Sequence, residues 1–555
     1  MWRASTPAKS FWAVPASAVA GLAALHAHAL DYRGDDLFIT LRYVTNLISG
    51  RGLVYNVGER VEGYSNLLWV LMLAGPARLG VDPVVLARSL GVLFAGLNAF
   101  LAYLIALRLE ATRARALMAP LLLAVATPFA TWAGSGLEAP LFSALISGAL
   151  LERVRERPRL LVVGLLLGLS AITRPEGILF AFAFALHEAT GVFARAWSAS
   201  PSPAAPASLA AAGRILGTAG LLWVPQLVFR RWYYGQWLPN TYYAKVDHDG
   251  YALQRGADYF GAYLNLVSWL PLACALCGIA LAWRDARVRC LGLALSAYLA
   301  WVVTAGGDGL TMFRFVAHVM PLICILIARG ASATVDALAH AAASAGAARM
   351  PAFARHLNGA LLPPLLVIAL SWPSALLLLH PEWPWWKNVN GFTFPDAGRH
   401  WLFFDQYFAE RVARAGRFLN EHAAADELIA ANPAGIGYYT RQPVLDLLGL
   451  TDPTIAHSPT SAAGFRRAGH ARANSAYVLA RKPAYVLLGN VALLPTPLTE
   501  EELQRRLYLP SEQGLWLMPE FRRDYERVVV ELAPTGAFRF FTFYRRRDAR
   551  YRAPS

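Results

Sequence analysis

Long apolar runs alternate with short polar, arginine-bearing intervals over the first two thirds of the chain. Runs at 11–30, 84–107, 116–132, 139–151, 159–173, 177–194, 215–229, 261–283, 289–305, 315–329 and 358–380 predict membrane-spanning helices, although several fall short of the roughly 20 residues that cross ~30 Å of hydrocarbon. The pattern predicts a polytopic α-helical membrane protein with about eleven spans. "NLLWVLMLAGPARLG" (66–80) is apolar but short and follows a polar turn, which predicts a helix lying in the interface with Trp69 at headgroup level. The helix after Asp35 and Asp36 carries Phe38, Leu41, Leu47 and Ile48 at apolar positions. It predicts a second interfacial helix, with Arg42 and Tyr43 turned toward a polar cleft.

Near residue 381 the pattern becomes that of a soluble domain. "RVARAGRFLNEHA" and "SAYVLARK" read as helices, "ELIAAN" and "AYVLLGN" as strands, and "YERVVVEL" with "FRFFTFYRRR" as a closing hairpin. The expected division is a transmembrane domain over 1–380, with a first outer loop at 31–83, and an α/β domain over 381–555. "SASPSPAAPAS" (198–208) reads as a linker, and 330–350 as an Ala-rich connection.

Composition agrees: 56% hydrophobic and 16% charged residues exclude an ordinary soluble domain. A net charge of +15 has two readings, nucleic-acid binding or orientation in a bilayer with attraction for anionic lipids. The arginines sit between apolar spans, which favours membrane lipids over nucleic acid. With a cytoplasmic N-terminus, the groups Arg108/Arg113/Arg115, Arg153/Arg155/Arg157/Arg159, Arg195/Arg214, Arg284/Arg287/Arg289 and Arg329/Arg349/Arg355 all fall inside. Residues 31–83, 134–140, 230–260, 306–315 and the part after 381 then face outward, where the acids and aromatics collect. The expected location is the cytoplasmic membrane, with the chemistry on its outer side. "AHA" at 27–29 passes for a signal-peptidase site, but about 20 apolar residues argue for a retained span. Cys274 and Cys277 form a lone C-x-x-C pair without a ligand histidine nearby, a weak zinc or redox signal.

Asp35 and Asp36 are the first chemical candidates, because carboxylates beside a hydrocarbon span are costly. Either is also a good N-cap for the helix that follows. A carboxylate against low-dielectric surface gains proton affinity, which suits general-base removal of a proton from a sugar hydroxyl. An anionic leaving group on the same face needs a cation, and Arg42, Lys245 and Arg314 are available. Other chemistries have little support: "GSG" and "GGDG" lack a Walker lysine or a strand-helix setting. His26 and His28 lie on opposite helix faces and make an unconvincing metal site.

"DDLFITLRYVTNLISGRGLVYNVGERVEGYSNLLW" (35–69), "SGLEAPLF" (135–142), "ITRPEG" (172–177), "LPNTYYAK" (238–245), "GGDGLTMFRF" (306–315) and "DLLGLTDPTIAH" (446–457) occur in order along most of the chain. Together they resemble the AftB-like subgroup of GT-C membrane glycosyltransferases, which includes the terminal arabinofuranosyltransferase of mycobacterial cell walls. They are also similar to the AftB-like protein ZomB, linked to flagellar motor control. The resemblance implies transfer of a sugar, arabinofuranose by family similarity, from a polyprenyl-phosphate donor to a glycan or glycolipid acceptor of the envelope, with inversion. It places the base on Asp35 or Asp36, with Asp35 preferred.

Arg314, then Lys245 and Arg42, are expected at the donor phosphate. Each has a bland reading as an interfacial cation reaching headgroups. Asn240, Asp308, Tyr43, Glu62, Tyr64 and Arg174 complete the candidate set, on the substrate; Asp308 also reads as a turn residue, and Arg174 as a partner for carbonyls freed at Pro175. Glu138 and Glu176 read as helix caps by default. Trp232, Tyr233, Tyr234, Trp237, Tyr242 and Tyr243 read first as an interface belt. Relatives of this type sometimes use a divalent cation, so the resemblance leaves metal assistance at the aspartate pair open. A membrane scaffold that keeps the fold without catalysis is the alternative of a different class. A transporter is disfavoured, because the charges gather at one face instead of lining a path through the bilayer.

Overall fold

The computed structural model describes residues 13–344 and 401–553, apart from 111, 197–204, 247–249, 268, 311, 460–464, 466–468 and 536–537. The apolar run 358–380 and the expected domain boundary lie outside the described residues. Among the described residues, Pro83–Leu109, Ser208–Tyr234, Ala286–Thr304 and Met320–Leu338 are long and apolar enough to cross a membrane. Two further pairs qualify only as bent spans, Arg113–Ala124 with Thr127–Gly134 (59°) and Ala252–Asn265 with Leu270–Leu281 (101°). The runs 116–132 and 261–283, expected as straight helices, are these broken pairs. Val14–Leu30, Leu160–Thr173 and Gly177–Thr190 are shorter apolar helices. Of the about eleven expected runs, ten fall on described residues, where length and composition support four spans, or six with the bent pairs, the other runs being shorter helices.

Small residues let these helices meet backbone to backbone, as lipid-immersed helices commonly do. A Cβ on Gly330 would overlap the carbonyl oxygen of Cys274, so helices Leu270–Leu281 and Met320–Ser344 touch at this point through glycine. The helix Leu160–Thr173 stops because Arg174 precedes Pro175 and is extended there (φ −150°, ψ 134°). That break turns the Arg174 side chain inward.

The C-terminal part carries a sheet of six strands: β1 (Ile429–Ala431), β2 (Val444–Asp446), β3 (Tyr485–Leu487), β4 (Leu493–Leu494), β5 (Tyr525–Thr535) and β6 (Phe538–Arg546). β1 lies parallel to β2 and β3; β6 runs antiparallel to β3, β4 and β5. The helices and strands read from the sequence in this region are all present, including the closing hairpin β5–β6.

The helix Asp36–Ile48 departs from its expected place. It is not interfacial: Leu37 through Val44 and Asn46 are buried, because the 3-10 turn Ala434–Tyr438 of the C-terminal part lies across it. Phe38 packs on Tyr438 and Tyr439 with ring centroids 5.6 and 4.8 Å away. Asn56 trades two hydrogen bonds with the Val444 backbone (2.9 and 3.0 Å), in the manner of an added strand residue. Trp69, expected at headgroup level, is fully buried and donates to the Gly136 carbonyl at 3.0 Å. Its helix, Leu67–Arg78, still exposes Leu71.

Candidate active site

Asp35 occupies the N-cap position of helix Asp36–Ile48, yet its side chain makes no capping hydrogen bond. The capping explanation for the pair therefore fails, and the two carboxylates part company. Asp36 lines a cavity of about 340 Å³ and also a smaller one of about 60 Å³ beside it, whereas Asp35 lines only the smaller. The Asp36 carboxylate accepts from Arg314 Nη1 at 3.1 Å. Its burial pushes its pKa up, but Lys245, Arg314 and His470 together outweigh burial and hold it below the usual carboxylate range. The raised proton affinity expected from the sequence is thus reversed, because cations face the acid from both flanks.

Arg314 is delivered by an unusual backbone: Met312 and Phe313 both adopt left-handed conformations (φ 53° and 50°). Such non-glycine conformations cost about 1–3 kcal/mol each and persist where surrounding packing fixes them. Here Trp132 Nε1 donates to the Met312 carbonyl at 3.1 Å, and Phe313 packs between Tyr259 and Tyr263. All three guanidinium nitrogens of Arg314 are engaged, two by Asp308 (2.8 and 3.0 Å) and one by Asp36. Asp308 is thus the carboxylate that orients Arg314. Lys245 lines both cavities, and among the described residues its ammonium has no hydrogen bond or ion pair. Of the expected phosphate ligands, Lys245 is the uncommitted one.

Arg174 also lines the larger cavity. Its freed-carbonyl role is not seen; Nη1 pairs with Glu138 and Nε with Glu176. Glu138 makes no capping bond at its own helix. Both glutamates lie within the motifs "SGLEAPLF" and "ITRPEG", which is the signal that capping logic passed over. Tyr64 lines the same cavity and meets Tyr234 at 3.1 Å through their hydroxyls.

Four sequence candidates fall outside both cavities. Arg42 donates to the carbonyls of Tyr55 (3.2 Å), Thr440 (2.7 Å) and Gln442 (3.5 Å), tying the first outer loop to the C-terminal part instead of facing an anion. Tyr43 donates to the Val61 carbonyl (2.6 Å) and accepts from Gly63 N (2.8 Å) in the core. Glu62 pairs with Arg230, both nearly inaccessible. Asn240 donates to the carbonyls of Gly449 (2.8 Å) and Leu450 (3.0 Å) while its neighbours Pro239 and Thr241 line the cavity. Each was polar near the right loop, but each spends its hydrogen bonds on backbone or on a buried counter-charge. Of the aromatics, Trp232, Trp237 and Tyr242 are exposed, as a belt requires, whereas Tyr234 is buried.

The smaller cavity has walls the sequence did not point to, because they come from the C-terminal part: Asn432, His470 and Asn490. Behind them Glu512, fully buried, accepts from Asn432 Nδ2 (2.7 Å) and Asn490 N (2.9 Å). Burial raises its pKa from 4.5 to about 7 despite those hydrogen bonds. The folded chain thus holds this proton more tightly than the unfolded chain. Stability contributed here is full below about pH 4.5, falls as pH rises through 4.5 to 7, and levels off above. The fall amounts to about 3 kcal/mol. Protection factors of amides in strands β1 and β3, which correct for the intrinsic rise of exchange with pH, should fall over that interval in the wild type and stay level in Glu512→Gln; equal slopes in both would refute the assignment.

The residues do not fit a resident divalent cation. Arg314 bridges the nearest carboxylates, Asp36 and Asp308, with its guanidinium. Among the described residues no three His, Cys, Asp or Glu side chains converge on a metal position.

The model of a domain of unknown function (DUF8728) matches residues 404–551. The terminal beta-(1->2)-arabinofuranosyltransferase of Mycobacterium tuberculosis is 31% identical over 262 residues, which are 43% of this chain and 39% of that protein. The chain thus spans about two fifths of that relative's length. ArnT from Cupriavidus metallidurans aligns in a form bound to undecaprenyl phosphate with a TM-score of 0.46 and 12% identity, over 97% of this chain and 98% of that one. Its apo form aligns with a TM-score of 0.48 and 13% identity, over 81% and 90%. The match to the arabinofuranosyltransferase bears out the resemblance to that enzyme's AftB-like group drawn from the sequence motifs.

Proposed function

We propose that this chain transfers a monosaccharide, arabinofuranose by similarity to its relative, from a polyprenyl-phosphate donor to an envelope glycan or glycolipid on the outer side of the cytoplasmic membrane. The observation that carries the reading is the pairing of an uncommitted ammonium, Lys245, with a carboxylate held ionised, Asp36, where two cavities meet. The donor's phosphate lies at Lys245, with Arg314 behind it. Its prenyl chain runs along the apolar wall of Ile178, Leu179 and Trp301. The acceptor hydroxyl arrives from the smaller cavity, on the C-terminal side of Asp36.

Asp36 takes the hydroxyl proton as the acceptor oxygen bonds to the anomeric carbon. The bond from that carbon to the phosphate oxygen breaks, its electron pair leaves on the phosphate, and the configuration inverts. Fixed cations stabilise this developing charge better than water does, since they need no reorganisation. Asp308 keeps Arg314 in place.

The test uses membranes containing the full chain, a labelled polyprenyl-phosphoryl arabinofuranose and an arabinan acceptor. Transfer should be seen with the wild type and fall by about a hundredfold in Lys245→Met, the loss of one charge-stabilising group. If no donor of this class is consumed under any condition, the non-catalytic scaffold reading replaces this one.

A further inference from the structure

The larger cavity has a second polar end, built unlike the one at Lys245. Arg174, Glu138 and Glu176 all line it at 7%, 4% and 6% exposure. One guanidinium against two carboxylates leaves this end negative. Such a buried set is retained at a cost in stability against apolar packing, which calls for a use.

Asn66, 4% exposed, also lines the cavity. Its Nδ2 donates to Glu138 at 2.7 Å and Thr40 at 3.2 Å, while Oδ1 has no partner. The Arg174 pairings engage Nη1 and Nε; among the described residues Nη2 of Arg174 and Oε2 of Glu176 have no protein partner. Nη2 of Arg174 and Oε2 of Glu176 therefore keep one donor and one acceptor open at the cavity wall, while Asn66 Oδ1 is buried without a partner. The unmet Asn66 oxygen costs about 1–3 kcal/mol. Hydroxyls, which both donate and accept, suit such a mixed donor and acceptor set.

The Arg174 and Arg314 guanidinium carbons lie 5.7 and 5.6 Å from the Phe315 ring centroid, so that ring touches both ends of the cavity. An anion is repelled at one and attracted at the other, so a phosphosugar is held in a single orientation. We propose that Asn66, Arg174 and Glu176 read the ring hydroxyls of the donor sugar, selecting an uncharged monosaccharide and excluding uronic acids. This rests on the glycosyl-transfer reading above.

The experiment measures binding to the full chain in nanodiscs. The probes are farnesyl-phosphoryl arabinofuranose, its galacturonic acid counterpart, and methyl farnesyl phosphate, a sugarless diester of equal lipid-phosphate charge. In the wild type the arabinofuranosyl lipid should bind about tenfold tighter than the sugarless diester, and the uronic acid lipid no tighter than it. Glu176→Gln and Asn66→Ser should each erase most of that advantage and leave affinity for the sugarless diester unchanged. Should Glu176→Gln fail to fold, Asn66→Ser carries the comparison, because it leaves the ion pairs intact. The inference is overturned if the variants keep the advantage or weaken both lipids equally. Binding of neither lipid by the wild type overturns the glycosyl-transfer reading, and this inference with it; binding of the sugarless diester alone overturns only the inference.

Discussion

Asp36→Asn should lower sugar transfer by about a thousandfold, within the range a positioned general base supplies, while Asp35→Asn lowers it less than about tenfold. Of the adjacent pair, Asp36 is the member that lines both cavities and accepts from Arg314, whereas Asp35 lines only the smaller; Asp308 also lines both but spends both its oxygens on Arg314. The amide keeps the size, and its oxygen can still accept from Arg314, so thermal stability should change little beside the activity loss. A second readout separates base from scaffold. Because Lys245 and Arg314 hold the Asp36 pKa down against the opposing effect of burial, the base stays ionised as pH falls. Transfer should therefore be flat from pH 7 to 5 and decline only below the ordinary carboxylate range near 4. An acid limb centred near pH 6, or equal losses from the two variants, would show that Asp36 is not the base.

Arg230→Met should destabilise the protein by about 3–5 kcal/mol, the usual result of leaving one member of a buried ion pair alone. Arg230 and Glu62 are 3% and 4% exposed and joined at 2.5 Å and 3.1 Å. Burial raises the Glu62 pKa to about 6 even with its partner present, so without it the acid must either take a proton or stay charged in the core. The double change Glu62→Leu with Arg230→Met removes both charges and should recover most of the loss. Denaturation of the variants in detergent checks this. Glu62 was a substrate candidate from sequence; an unchanged KM for the donor in any variant that folds would fix its role as structural.

The spans, the acidic pair, Lys245, Asp308 and Arg314 were legible in the sequence because each depends on local information: apolar run length, or a polar residue out of place beside hydrocarbon. Asn432, His470 and Asn490 were not, since only folding of the distant chain brings them to Asp36. Glu138 and Glu176 were visible but misread, because a carboxylate at a helix start has a cheap local explanation and its Arg174 partner is decided by tertiary packing. Arg42 failed in the opposite sense. It stood in the right helix, but the C-terminal part covers that helix and takes its hydrogen bonds. The interfacial placement of helix Asp36–Ile48 failed for the same reason.

That covering turn joins residues made far apart in time. Arg42 and the Thr440 carbonyl it holds are 398 positions apart, and Gly435 lies so close to Asp35 that any side chain there would strike the Asp35 carbonyl oxygen. A nascent chain therefore carries its first aspartates for roughly 20–80 s, at about 5–20 residues per second, without the wall that completes their surroundings. The cavity beside Asp35 and Asp36 is therefore closed only after residue 440 has been made and folded back onto helix Asp36–Ile48.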